Sequence, residues 1–143
     1  MPSKDNIIYQ KDMEFGHKEE IRIKEILESS FGQLKLLDKY NPFDYENEHY
    51  LIELKSRRIN HDKYPTAMVN YSKVLKTSKI KKKKIIIFNY EDGLFYWIVN
   101  KDEYTLGKGG RSDRGCHEYY TMCFVKKESL KPLSDYDGAL SNT

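Results

Sequence analysis

An α/β (α+β) domain, with a central mixed sheet flanked by helices, is predicted by three features of the sequence. Ile23, Ile26, Leu27 and Ser30 recur at i, i+3, i+4 and i+7, the period of a helix with one apolar face. Lys84 to Tyr90 and Leu94 to Val99 are strongly apolar runs on either side of Glu91-Asp92-Gly93, which reads as a hairpin turn. Both runs are apolar on both faces, as suits central strands covered on each side. Finally, strand and helix patterns interleave along the chain. At 143 residues a single domain over 1–143 is expected, with residues 1–12 and 134–143 as loose tails.

The elements follow in order. The first helix is placed from about Lys18 to Ser30 and stopped by Phe31-Gly32, since glycine suits a left-handed cap. Gln33 to Leu37, Pro42 to Tyr45 and His49 to Ser56 read as three strands, the last two separated by the polar turn Glu46-Asn47-Glu48. Asn60 to Tyr64 reads as a loop. Pro65 suits a first helical turn, and Met68, Tyr71 and Leu75 at i, i+3 and i+7 carry a second helix to about Lys76. Residues 105–117 are rich in glycine and arginine and read as a loop. Tyr119 to Val125 reads as a last strand, and Glu128 to Leu133 as a short closing helix or turn.

Composition excludes several classes. An aromatic content of 13% argues against disorder, and a net charge of +3 is too mild to mark a nucleic-acid binder by itself. The distribution says more: Lys73, Lys76, Lys79 and Lys81 to Lys84 put seven lysines in twelve positions, as a solvated surface or as a face for phosphates. Cys116 and Cys123 have no CxxC spacing, and the four histidines show no ligand spacing, so no zinc site is read. The polar N-terminus is unlike a signal peptide, and no apolar run approaches the roughly 18 residues of a membrane span. A soluble, intracellular protein without a membrane partner is expected. Phosphate-binding glycine loops, HExxH and GxSxG are absent.

One stretch carries chemistry. Asp44 precedes a turn, and nine positions later comes Glu53-Leu54-Lys55, the only Glu-x-Lys or Asp-x-Lys in the chain. Strand alternation puts Glu53 and Lys55 on the same face, beside Leu51, where a buried strand normally carries Val or Ile. Two acids and a lysine at a sheet edge can bind Mg²⁺, which prefers oxygen ligands and keeps several waters. The ion would activate a water beside a phosphate, and the lysine would orient that water and stabilise developing charge. A lysine between two acids is expected to stay protonated, favouring this electrostatic role over general base. Each residue also has an ordinary reading: Asp44 as a turn residue, Glu53 and Lys55 as an exposed strand pair.

A helix, an acid-bearing hairpin, a Glu-x-Lys strand and a second helix, over roughly residues 14–100, resemble the PD-(D/E)xK nuclease superfamily. Its members include restriction endonucleases, Holliday junction resolvases and phage exonucleases. The resemblance implies a restriction-endonuclease-like αβββαβ core and a Mg²⁺-dependent deoxyribonuclease, with Mn²⁺ able to substitute. It makes Asp44 and Glu53 metal-binding acids, the Leu54 carbonyl a further ligand and Lys55 the lysine. Phe43-Asp44 stands where the family has Pro-Asp, with Pro42 one position earlier. Gly16 to Glu20 looks like the Gly-x-x-x-Glu of the resolvase branch and points to Glu20 as a helical acid, although the helical wheel does not separate it from Glu19. Asn70, Tyr71 and Lys73 lie where members place a further polar contact.

The partner implied is DNA, with products bearing 5′-phosphate and 3′-hydroxyl ends, and by analogy with resolvases a homodimer is possible. Arg57 and Arg58 are expected at phosphates just past the site, with Lys73 beside them. Arg111 and Arg114 either clamp the backbone or simply turn the loop. Recombination or repair, directed by DNA structure rather than sequence, is the expected setting, and the composition suits a viral or phage gene. Two rivals stay open. One is a non-catalytic nucleic-acid-binding module on the same fold. The other is an interaction protein in which Asp44, Glu53 and Lys55 form an ordinary ion-pair network.

Overall fold

A computed structural model of the protein describes the backbone of residues 4–111 and 118–137. These residues fall into two compact units, one reaching to Leu34 and the other running Lys35–Tyr136.

The first unit is built on helix α1, Lys4–Phe31. The helix begins well before Lys18 and takes in most of the stretch read as a loose tail. From Lys4 the segment holds no proline, and Gln10, Lys11, Met13 and Glu14 are good helix formers that outweigh the single glycine, Gly16. Its buried stripe is Ile23, Leu27 and Phe31, every fourth residue. Gly32 ends it as the sequence predicts, with φ at 87° and its N–H bonded to the Glu28 carbonyl at 3.0 Å. The Glu28 carboxylate accepts from the Leu34 N–H at 2.9 Å and ties down the exit.

The second unit holds two sheets. In the six-stranded sheet, β1 (Lys35–Leu36), β2 (Tyr45–Glu46), β3 (Tyr50–Ser56), β5 (Lys83–Tyr90), β6 (Gly93–Ile98) and β9 (Lys131–Pro132) lie side by side in that order. The β3–β5 pair is parallel and the others antiparallel, so the sheet is mixed. The second sheet has the order β4 (Thr66–Asn70), β8 (Glu118–Lys126), β7 (Tyr104–Arg111), all antiparallel. Helix α2, Tyr71–Lys76, follows β4 directly.

Register places Glu53 opposite Ile86 and Lys55 opposite Phe88 on β5. Leu51, Ile86, Phe88, Phe95 and Trp97 form one core cluster with Phe43, Val69, Cys123, Val125 and Leu130, so the small sheet packs on the face that carries Glu53. Ile52, Ile85 and Ile87, on the opposite face, are fully buried too. Two-faced burial is what the apolar runs predict, and the α/β mixed-sheet class holds.

Two elements differ from the sequence expectation. Pro65 does not start a helix: its carbonyl accepts from the Lys127 N–H at 3.0 Å, and Thr66–Asn70 pairs with β8 from Thr66↔Lys126 to Asn70↔Met122. Met68 and Leu75, two of the three residues that carried the helical pattern, are exposed. Pairing with β8 wins over a period that three residues matched by coincidence. The stretch from 105, read as a loop, is β7. Its glycines mark close approach rather than turning. A Cβ at Gly107 would stand 2.7 Å from the Phe124 ring, and one at Gly109 would stand 2.9 Å from Met122 Cγ. The closing segment, read as a short helix or turn, is two 3₁₀ turns, Lys127–Ser129 and Leu133–Asp135, around β9. Past Asp135, Tyr136 is docked, its hydroxyl 2.6 Å from that of Tyr50. No helix among the described residues is long and apolar enough to cross a membrane.

The loop after β3 is fastened to the β5–β6 turn. The Arg57 and Glu91 N–H groups bond to the carbonyls of Asn89 and Ile59 at 2.9 and 3.0 Å. Asp92 accepts the His61 N–H at 2.9 Å and also holds the His61 Nδ1, while the His61 ring stacks on Phe95 at 4.3 Å. Burial pushes the Asp92 carboxyl up, but its bonds from His61 outweigh this and hold it below the usual carboxylate range. A depressed carboxyl stabilises the fold above its unfolded pKa and loses that contribution as pH falls through the folded value. Asp92→Asn is therefore expected to cost about 1 kcal/mol near neutral pH. Thermal melts should show that deficit closing below about pH 4.

Candidate functional site

Asp44 and the Glu53-Leu54-Lys55 segment meet at the end of the β2–β3 ladder. The Asp44 N–H bonds to the Ile52 carbonyl at 3.0 Å, and its carbonyl accepts from the Leu37 N–H at 2.8 Å. Past Ile52 the ladder stops, because Phe43 turns into the core and is 1% exposed. The next N–H on this edge of β3, that of Leu54, is taken instead by Asp44 Oδ2 at 2.8 Å. A strand residue's N–H and C=O point to the same side, so the Leu54 carbonyl shares the edge with Asp44. Asp44 itself is exposed.

Glu53 is the opposite case, at 3% exposed, a carboxylate set in the apolar core face. Its Oε1 receives the Lys73 ammonium and has Lys55 Nζ at 3.8 Å. Its Oε2 is buried and has no hydrogen-bond partner among the described residues. A buried, unpaired carboxylate oxygen is costly.

Lys55 is mostly buried. Burial pushes its ammonium below the usual lysine range; Arg57 and Lys73 push the same way, while Glu53 and Asp44 oppose them. Desolvation outweighs the two acids, so the shift runs opposite to the one their charges alone would give.

Lys73 reaches Glu53 from another element. Helix α2 carries it there. Asn70 caps the helix, its side chain accepting from the Ser72 N–H at 2.9 Å, so the first of the expected polar contacts is a cap. At the other end the Thr77 hydroxyl donates to the Lys73 carbonyl at 2.7 Å. Tyr71 packs against the core cluster.

The remaining residues are spread out. Arg57 and Arg58 are exposed just past β3, and Arg57 lies close enough to influence Lys55. Within the lysine run, Lys82 is 3.4 Å from Glu46, and the Lys84 ammonium donates to the Ile80 carbonyl. Glu20 is exposed on α1 in the first unit, and Glu19 is paired with Arg22 at 2.8 Å. Arg111 ends β7, and Arg114 lies outside the described residues. His61, Asp62 and Asp92 form a three-donor cluster with ligand atoms within 4.8 Å of one another, a grouping the sequence reading missed because 30 residues separate its two aspartates.

Against known families, residues 18–133 match the profile described as "Phage putative PDDEXK endonuclease". No curated protein and no solved structure matches.

Replacing Lys55 by Met should stabilise the protein by about 1 kcal/mol, or roughly 2–4 °C in Tm, because an ammonium leaves an apolar site. The folded pKa is lowered, so the penalty is full at neutral pH and vanishes as pH rises through the window up to the ordinary lysine value. The advantage of Lys55→Met should accordingly shrink toward about pH 10, which a series of thermal melts would read.

Proposed function

Because the chain belongs to the phage PDDEXK endonuclease family, we propose that it is a metal-dependent deoxyribonuclease whose centre is Asp44, Glu53 and Lys55. The observation that carries this reading is Glu53 Oε2, a buried carboxylate oxygen that has no hydrogen-bond partner among the described residues and lies beside two lysines. Nucleases of this class use divalent metals, and the donor set here is oxygen-rich, which fits Mg²⁺ with Mn²⁺ as a substitute.

Glu53 Oε2, Asp44 and the Leu54 carbonyl would hold the ion. When bound, it supplies Lewis acidity to the phosphodiester and lowers the pKa of a coordinated water. Asp44 is oriented by the Leu54 N–H, so its geometry is set before any ligand arrives. Lys55 faces the same side of β3 as Glu53. There its ammonium can orient the attacking water and stabilise charge on the phosphorane. Arg57 and Arg58, exposed beyond the strand, are proposed to bind flanking phosphates, and Arg111 and Arg114 are proposed as backbone clamps.

Action on branched or otherwise structured DNA, in recombination or repair inside the host cell, is the finer form of the proposal. It is supported by the lack of a base-reading helix or zinc module in the sequence. A homodimer would let two strands be cut symmetrically.

The test is cleavage of labelled single strand, duplex, flap and four-way junction with Mg²⁺, Mn²⁺ or EDTA. Metal-dependent products are expected, with Glu53→Ala and Lys55→Ala each reducing the rate at least about 10²-fold. Glu20→Ala in the same panel decides whether the first unit supplies an acid. Salt-sensitive binding without products would instead establish a non-catalytic binding module. Equal cutting of linear duplex and junction would remove the structure-directed form alone.

A further inference from the structure

We propose that Lys73 is a resident counter-cation that makes metal binding at Glu53 conditional on nucleic acid. The inference rests on the metal-site reading above and concerns how that site is regulated. Lys73 reaches Glu53 from a different element, and α2 is fixed at both ends by the Asn70 cap and the Thr77 hydroxyl. Its ammonium bonds to Glu53 Oε1, the same oxygen that Lys55 approaches to 3.8 Å. About a third of the Lys73 side chain is exposed, so it stands at the mouth of the site, whereas Lys55 is behind it at 15%.

Charge counting gives the consequence. Asp44 and Glu53 contribute two negative charges, and Lys55 and Lys73 contribute two positive ones. The four side chains are balanced as they stand. A divalent ion adds two positive charges to a set with no surplus of negative charge, in a partly dehydrated place where each charge counts for more than in water. Arg57 adds to the repulsion. Nucleic acid reverses this balance, since each phosphate that enters brings a negative charge to the same mouth. Metal and DNA then favour each other's binding, and by linkage the coupling is reciprocal. Lys73 is the residue that sets the size of the coupling: with it in place Glu53 is already neutralised, and without it the acid is available to the metal alone. Its role is that of a positioning residue, acting through Glu53.

The test is Mn²⁺ binding by calorimetry on the full chain, alone and with a short phosphorothioate DNA strand that resists hydrolysis. Wild-type protein is expected to take Mn²⁺ weakly alone and at least about tenfold more tightly with DNA. Lys73→Met is expected to bind Mn²⁺ at least about tenfold more tightly without DNA, the effect of removing one charge a few ångströms from a divalent ion even at water-like screening. DNA should then add little. Lys73→Gln, which keeps a hydrogen-bond donor to Glu53 while losing the charge, should behave like Lys73→Met and serves if the methionine variant does not fold. Lys73→Arg should keep the wild-type coupling. Weaker or unchanged Mn²⁺ binding in the neutral variants, with wild-type binding abolished by Glu53→Gln, would overturn the role of Lys73 and leave the metal site standing. Mn²⁺ binding that Glu53→Gln does not reduce, with or without DNA, would overturn the metal site and this inference with it.

Discussion

A carboxylate buried in an apolar sheet face sets the conditions for the rest of the second unit. Taking Glu53 out of water costs several kcal/mol unless it is paired. Its register neighbours, Ile86 across on β5 and Leu51 two residues back, offer nothing polar. Pairing comes from Lys55, two residues on, and from Lys73, twenty residues on. The second partner makes a demand on the chain path. β4 must end where α2 can begin, and α2 must stop after six residues with Lys73 facing inward. Asn70 and Thr77 meet that demand with side-chain hydrogen bonds at the two ends. Even so, Oε2 is left unmatched among the described residues, an unfavourable feature that apolar packing would not carry.

The same constraint explains which parts of the site were legible in the sequence. Asp44, Glu53 and Lys55 show through because their relation is local: a period-two pair on one strand and an acid one hairpin away. The alternation that put Glu53 and Lys55 on one face holds in the structure, and so does the hairpin that brings Asp44 to them. Lys73 shows through only as a polar contact that the resemblance implies, not as the partner of Glu53, because its place depends on where a helix starts after a strand that was itself read as helix. Tertiary pairing decided that boundary. The glycines of β7 misled for a related reason. Glycine marks either a turn or a close approach, and only the Phe124 and Met122 side chains opposite show which. In the first unit, Gly32 marked the helix end correctly, whereas the helix start lies in a polar segment with no periodic signal.

Phe43 and Asp44 work as a pair. A strand edge next to a metal site needs its ladder to end, so that backbone and side-chain oxygens face a ligand instead of a neighbouring strand. Proline ends a ladder by lacking an N–H and restricting its neighbours. Phe43 ends it by a different force. Its ring is drawn into the core with Leu51, Val69 and Phe88, which pulls the chain off β3 one residue past the last backbone bond. Asp44 then takes over the unpaired Leu54 N–H with its carboxylate, and the edge is satisfied on its donor side while the Leu54 carbonyl remains on it as an acceptor. Hydrophobic burial of one residue thus sets the direction of the next. An acid oriented in this way is already aligned before an ion or a phosphate reaches it, so the ordering of the ligand is completed by folding rather than by binding.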